Sequence, residues 1–134
     1  GHPVTAKLSA KTLSSDTLVM VSSAAKNKPA INRELCAPSD FLAMPSIAYR
    51  LARVAAGDGV CGMSLWPVSA HDVAAGHALL IGAGGVLLDE CGIPIEYVTE
   101  ADMHTVSKYC FGGSEPACQA LLKREWSRIF TEKR

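Results

Sequence analysis

The sequence has no excess charge of either sign, since thirteen Lys and Arg balance thirteen Asp and Glu among 134 residues. Without a basic field, attachment to a nucleic-acid polymer is excluded as a leading reading. No apolar run reaches the length of a membrane helix, so no membrane partner is expected, and no signal peptide is visible at the start. The five cysteines, Cys36, Cys61, Cys91, Cys110 and Cys118, are odd in number and never spaced C-x-x-C. That pattern excludes a disulfide framework or a zinc ribbon and fits a reducing, cytoplasmic setting. There is no internal repeat and no low-complexity tract.

Hydrophobic residues make up 49% of the chain and charged residues 19%, which predicts a folded domain with a real core. The mean hydropathy of +0.17 is high for a self-sufficient domain. Either an unusually apolar core or a surface awaiting a partner accounts for it. The chain opens Gly1-His2-Pro3 without Met, as a removed tag would leave it. Residues 1–16 are polar and without period, and read as an extended lead-in. Residues 17–134 read as one α/β domain.

Apolar periodicity divides that domain. The run Thr17 to Ser22 suits a strand buried on both faces, and Pro29 can open a helix through Cys36. Phe41 to Met44 is a second strand. Ser46 is placed to cap a helix in which Ile47, Leu51, Val54 and Ala55 form a stripe, with Arg50 and Arg53 off it and Gly57 as its stop. Val60 to Leu65 is a third strand. The segment from Ala70 to Gly85 predicts a buried helix, and Gly76 marks a close contact, because glycine costs a helix interior about 1 kcal/mol relative to alanine. Val86 to Leu88 returns as a strand, Glu90-Cys91-Gly92 turns, and Ile93 to Ile95 is a short strand or edge. Thr105 to Phe111 is a last strand, and Ser114 with Pro116 starts a helix reaching about Phe130. Alternating strands and helices predict an α/β layered, mixed sheet flanked by helices.

Asp72 stands out chemically. It falls in the first turn of the helix beginning near Ala70, where a carboxylate meets free N–H groups and the positive end of the dipole. A simple dipole-complementing aspartate is one reading. A ligand to Mg²⁺ that is shared with a phosphate is the other, since Mg²⁺ uses one or two carboxylates with phosphate oxygens. His71 and His77 are six apart, on different faces of a helix, and read as polar or core histidines. His104 and Cys110 show no partner pattern, and Cys61 and Cys118 read as core filler.

The stretch Ser69-Ala70-His71-Asp72-Val73-Ala74-Ala75-Gly76, with Ala83-Gly84-Gly85-Val86 and Gly92-Ile93-Pro94, resembles the carboxyl-terminal signature of the inositol-monophosphatase family. That signature reads W-D-x-A-A-G, a helix ending A-G-G, a strand, and a D-x-x-G-x-P turn. Pro45 to Leu51 and Val54 to Asp58 resemble the family's G-S-x-A-x-K/R-L and V-A-x-G segments, so the likeness runs from about Leu18 to about Leu122. It implies the carboxyl-terminal half of a Mg²⁺-dependent hydrolase of a small phosphate monoester, such as an inositol phosphate or a nucleotide bisphosphate. By the same resemblance Asp72 is a metal ligand, and Ser46, Arg50, Ser64 and His71 line the substrate. His71 stands where the family has Trp, Pro45 where it has Gly, and Ser64 where many members carry an acid for a polyol hydroxyl. The amino-terminal D-P-x-D-G-T carboxylates and a separate Glu are absent, and the sequence holds no Asp-Pro dipeptide. The resemblance therefore implies a chain inactive without that half. The alternative is a non-catalytic binding or assembly module that kept the fold and covers an apolar face by forming a dimer. A Rossmann-type nucleotide site is set aside, because residues 22–28 contain no glycine.

Overall fold

The computed structural model of the chain describes Leu8 and residues 11–23, 27–96 and 109–131. Five strands form one sheet: β1 (Leu18–Val21), β2 (Asp40–Ala43), β3 (Cys61–Ser64), β4 (Val86–Asp89) and β5 (Cys110–Gly113). Their order is β2-β1-β3-β5-β4. β1 pairs in parallel with β2 and β3, while β5 runs antiparallel to both β3 and β4. The expected mixed sheet is what forms.

Among the described residues five helices cover it: α1 (Pro29–Cys36), α2 (Ile47–Ala55), α3 (Ala70–Gly82), α4 (Glu115–Leu122) and α5 (Ser127–Thr131). The alternation of a pleated strand sorts the core into two sides. Val19, Val21, Cys61, Met63 and Phe111 pack toward α1, α4 and α5 with Leu35, Cys118 and Trp126. Met20, Leu87 and Cys110 pack toward α2 and α3 with Leu51, Val54, Val73 and Leu80. The molecule is thus three layers, helix on sheet on helix.

Gly76 does what its sequence position implies. A Cβ there would lie 2.7 Å from Leu51 Cβ, so α3 meets α2 at near backbone distance. Two expectations differ. Residues 93–95 form only an isolated bridge, Leu88 to Pro94. The final helix breaks into α4 and α5 because Trp126 turns into the core, where its Nε1 donates to Leu121 O at 2.7 Å. Residues 105–108 of the expected last strand, and His104, lie outside the described residues.

Candidate functional site

Because β1, β2, β3 and β4 share a direction, their carboxyl ends lie on one edge of the sheet. α1, α2 and α3 each begin just beyond that edge, after β1, β2 and β3. Such an edge collects helix amino termini, whose free N–H groups and dipoles favour an anion. Four of the five sequence-predicted residues, Ser46, Ser64, His71 and Asp72, sit on or beside it, and Arg50 lies one turn into α2.

Ser46 is the cap of α2, accepting from the Tyr49 N–H at 3.3 Å. Its φ of 67° is a left-handed conformation that a serine adopts only where its surroundings enforce it. Pro45 ahead of it fixes the approach, and the hydroxyl stays on the surface. With its oxygen accepting from the backbone, Ser46 keeps its O–H proton for another acceptor.

Asp72 and His71 are exposed on the first turn of α3. Asp72 Oδ2 accepts from Ser69 N and from Ser69 Oγ, each at 3.1 Å. This is a capping box on the S-x-x-D spacing of Ser69 and Asp72, a signal present in the sequence and missed there. Oδ1 makes no hydrogen bond among the described residues. The dipole-complementing role of Asp72 is therefore filled, and one oxygen remains at the surface.

Arg50 and Ser64 sit deeper than a substrate-lining position implies. Arg50 is only 5% exposed. Its Nη1 donates to Met44 O at 2.7 Å, and Nε is buried with no partner among the described residues. Burial pulls its pKa below the ordinary value, opposed by the nearby Cys110 thiol. Position 50 falls between Ile47 and Val54 on the inner face of α2, so it belongs to the stripe rather than lying off it. Ser64 is buried at the end of β3. Its hydroxyl donates to Trp66 O at 3.0 Å and accepts from Trp66 N at 3.2 Å, closing the turn that leads to α3. At the end of β4, Asp89 Oδ1 accepts from the N–H groups of Cys91 and Ile93. Gly92 there takes a φ of 83°, which is the turn the D-x-x-G-x-P spacing calls for.

Among the described residues no three His, Cys, Asp or Glu side chains are grouped to hold a metal ion. Asp72 offers one hard oxygen, which suits Mg²⁺ as a single ligand and is too few for a whole site. His77, on the next turn of α3, has its pKa lowered by burial. All five cysteines are free thiols, and the buried Cys61 and Cys118 lie Sγ to Sγ at 3.6 Å.

No family model matches the chain, and no curated protein matches it. Solved structures do. The 2'-AMP-bound form of SaIMPase-II superimposes with a TM-score of 0.65 at 19% identity, over 84% of this chain and 42% of its own. Inositol monophosphatase from Anabaena gives 0.60 at 21% identity, over 87% and 48%. Inositol monophosphatase-II from Staphylococcus aureus gives 0.63 at 20%, over 84% and 41%. Other similar structures hold inositol monophosphate, or NADP with Ca²⁺. The fold of this chain is the one shared by those inositol-monophosphatase structures, and the chain spans less than half of their length.

Proposed function

We propose that this chain is one half of a metal-dependent phosphatase for small phosphate monoesters, with Asp72 as one ligand of its Mg²⁺. The observation that carries the reading is the surface carboxylate of Asp72 at the head of α3, on the sheet edge where α2 and α3 both begin, in a fold shared with inositol-monophosphatase structures. The remaining ligands and the water-activating group would come from a segment outside this sequence. Mg²⁺, when bound, polarises a phosphoryl oxygen and makes a water acidic enough to attack.

The chain's own residues then bind and orient. The Ser69 box fixes the Asp72 rotamer, so one oxygen is presented without losing further side-chain freedom. Ser46 donates its O–H to an ester or sugar oxygen, and the amino ends of α2 and α3 favour the anion. His71 contacts the substrate beside Asp72. Arg50 and Ser64 act through the backbone they hold, Arg50 through the Met44 carbonyl ahead of Ser46 and Ser64 through the turn ahead of Ser69. Similar structures bind inositol monophosphate, 2'-AMP and NADP, which supports small phosphorylated substrates as the class. The five unpaired thiols support a reducing, cytoplasmic setting.

The test is release of inorganic phosphate from those three compounds by the complete protein, with and without Mg²⁺. Asp72→Asn keeps an acceptor for Ser69 but weakens the metal ligand, so activity falls by about 100-fold while the thermal midpoint barely moves. Asp72→Ala also destabilises by about 1 kcal/mol through loss of the cap. Full activity in Asp72→Asn would remove the assignment.

A second reading, an assembly module without catalysis, is favoured by one observation. The outer face of α3 is apolar, with Leu79 and Ile81 53% and 58% exposed. Metal-dependent turnover by the complete protein decides against it.

A further inference from the structure

Among the described residues, nothing balances the positive charge of Arg50. The residue is 5% exposed, its guanidinium does not give up its proton in a protein, and a buried charge is unfavourable unless it is paired. Nη1 is engaged by the Met44 carbonyl at 2.7 Å. Nε is buried with no partner, and among the described residues Nη2 makes no hydrogen bond and the side chain no ion pair. Nε and Nη2 share one edge of the guanidinium plane. Their N–H bonds point the same way, as the fork that takes both oxygens of a carboxylate.

The surroundings place that free edge. Side chains of a helix lean toward its amino end, and the Met44 contact puts the guanidinium at the end of β2, where α2 begins. The Cys110 thiol is near enough to affect its charge, and Cys110 opens β5 opposite Ser64 and Asp89. Arg50 thus reaches the end of the sheet from which α2 and α3 start. No counter-charge is offered there among the described residues. Burial pushes the Cys110 thiol up to about 12, so it stays neutral at physiological pH. Asp72 is held by Ser69, and Asp89 accepts from the N–H groups of Cys91 and Ile93.

We propose that the Nε–Nη2 edge of Arg50 receives one carboxylate side chain, an Asp or Glu of the segment that completes the phosphatase proposed above, on which reading this inference rests. One negative charge neutralises one guanidinium, and two oxygens satisfy two N–H groups, so neither partner is left with an unmet charge. A phosphate dianion suits the edge less. It brings a second negative charge and further oxygens to a place where the described polar neighbour, the Met44 carbonyl, is itself an acceptor. The carboxylate joins the two halves at Arg50, and phosphate keeps to the helix ends at the surface.

The experiment titrates this chain, free of metal and phosphate ester, with formate, inorganic phosphate and chloride at constant ionic strength. The Arg50 Nε–H resonance and the backbone amides of Met44 and Cys110 are followed. Formate, the smallest carboxylate, is expected to saturate and shift all three, chloride not to saturate, and phosphate to bind at least about tenfold more weakly than formate. Arg50→Lys keeps the charge but loses the fork, so the amides should report formate binding about tenfold weaker. In the complete protein the Arg50 resonance should already stand at its formate-bound position and no longer answer formate. No saturable formate response, tighter binding of phosphate than of formate, an unchanged response in folded Arg50→Lys, or a complete protein whose Arg50 still answers formate would each overturn the proposal. Turnover enters none of these measurements, so loss of the phosphatase reading through Asp72 and loss of this one are told apart.

Discussion

The thiols show how burial changes a residue's chemistry. Cys36 and Cys110 are enclosed among apolar side chains, and desolvation pushes each thiol up to about 12 from its ordinary value of 9.0. The neighbouring Cys61 raises both further, Arg124 opposes the shift at Cys36, and Arg50 opposes it at Cys110. Cys61 is raised well above the ordinary value by burial and by Cys118. In the unfolded chain these groups lose their protons near pH 9, while in the folded chain they keep them. The unfolded state then binds fewer protons, and stability present below pH 9 is lost as pH rises toward 12. Thermal midpoints should therefore fall between pH 8 and pH 10.5, and the slope should flatten in Cys110→Ala. A thiol-labelling reagent at pH 8 should modify the exposed Cys91 at once and the other four only as the chain unfolds. The crowding of Cys36, Cys61 and Cys118 around one core was not legible in the sequence, because they come from three elements far apart in the chain. Arg50 was misread for a related reason. A charged residue argues for solvent, and only the fold supplies the Met44 carbonyl that accepts from it.

The elements that could be read are those whose signals are local. α1 begins at its proline, α2 at its serine cap with a four-residue apolar recurrence, and α4 at Ser114, whose Oγ accepts from Ala117 N at 3.1 Å. The break between α4 and α5 had no local mark. Lys123, Arg124 and Glu125 are good helix formers, and the chain departs from helix there only to bury Trp126 against Phe111. The short strand or edge expected at residues 93–95 is reduced to one antiparallel bridge, Leu88 to Pro94, held by Asp89 N to Ile93 O and Ile95 N to Leu87 O. Gly76 is the sharpest test at this scale. Alanine gains about 1 kcal/mol of helix propensity, yet its methyl meets Leu51 at 2.7 Å. The contact dominates, and Gly76→Ala should destabilise by about 1–3 kcal/mol as an overpacked core does. Urea unfolding measures it, and a stabilised variant would mean that α2 and α3 can separate without loss.

For the whole molecule, the outward side of α3 matters most. From Val73 to Leu88 the sequence has no acidic residue, no lysine and no arginine, and a helix apolar all round belongs in a buried layer. Leu79 and Ile81 point away from this core, so the chain in isolation should self-associate through them. Leu79→Lys with Ile81→Lys should give a monomer in sedimentation with stability changed by no more than about 0.5 kcal/mol. The same pair should abolish reconstitution with the proposed amino-terminal half if that half docks there. Among the described residues no helix is long and apolar enough to cross a membrane. The sheet carries a different lesson, in time rather than in space. β5 is the last strand made, and it fills the slot between β3 and β4, pairing with both. At its last two positions no side chain fits, since a Cβ on Gly112 would meet Leu51 at 2.6 Å and one on Gly113 would strike the Val60 carbonyl. A growing chain that has not yet emitted Cys110 therefore holds β4 with no neighbouring strand and one flank of β3 bare. Such edges recruit other chains, so ribosome-stalled intermediates ending before residue 110 should need a chaperone that those ending after Leu122 do not.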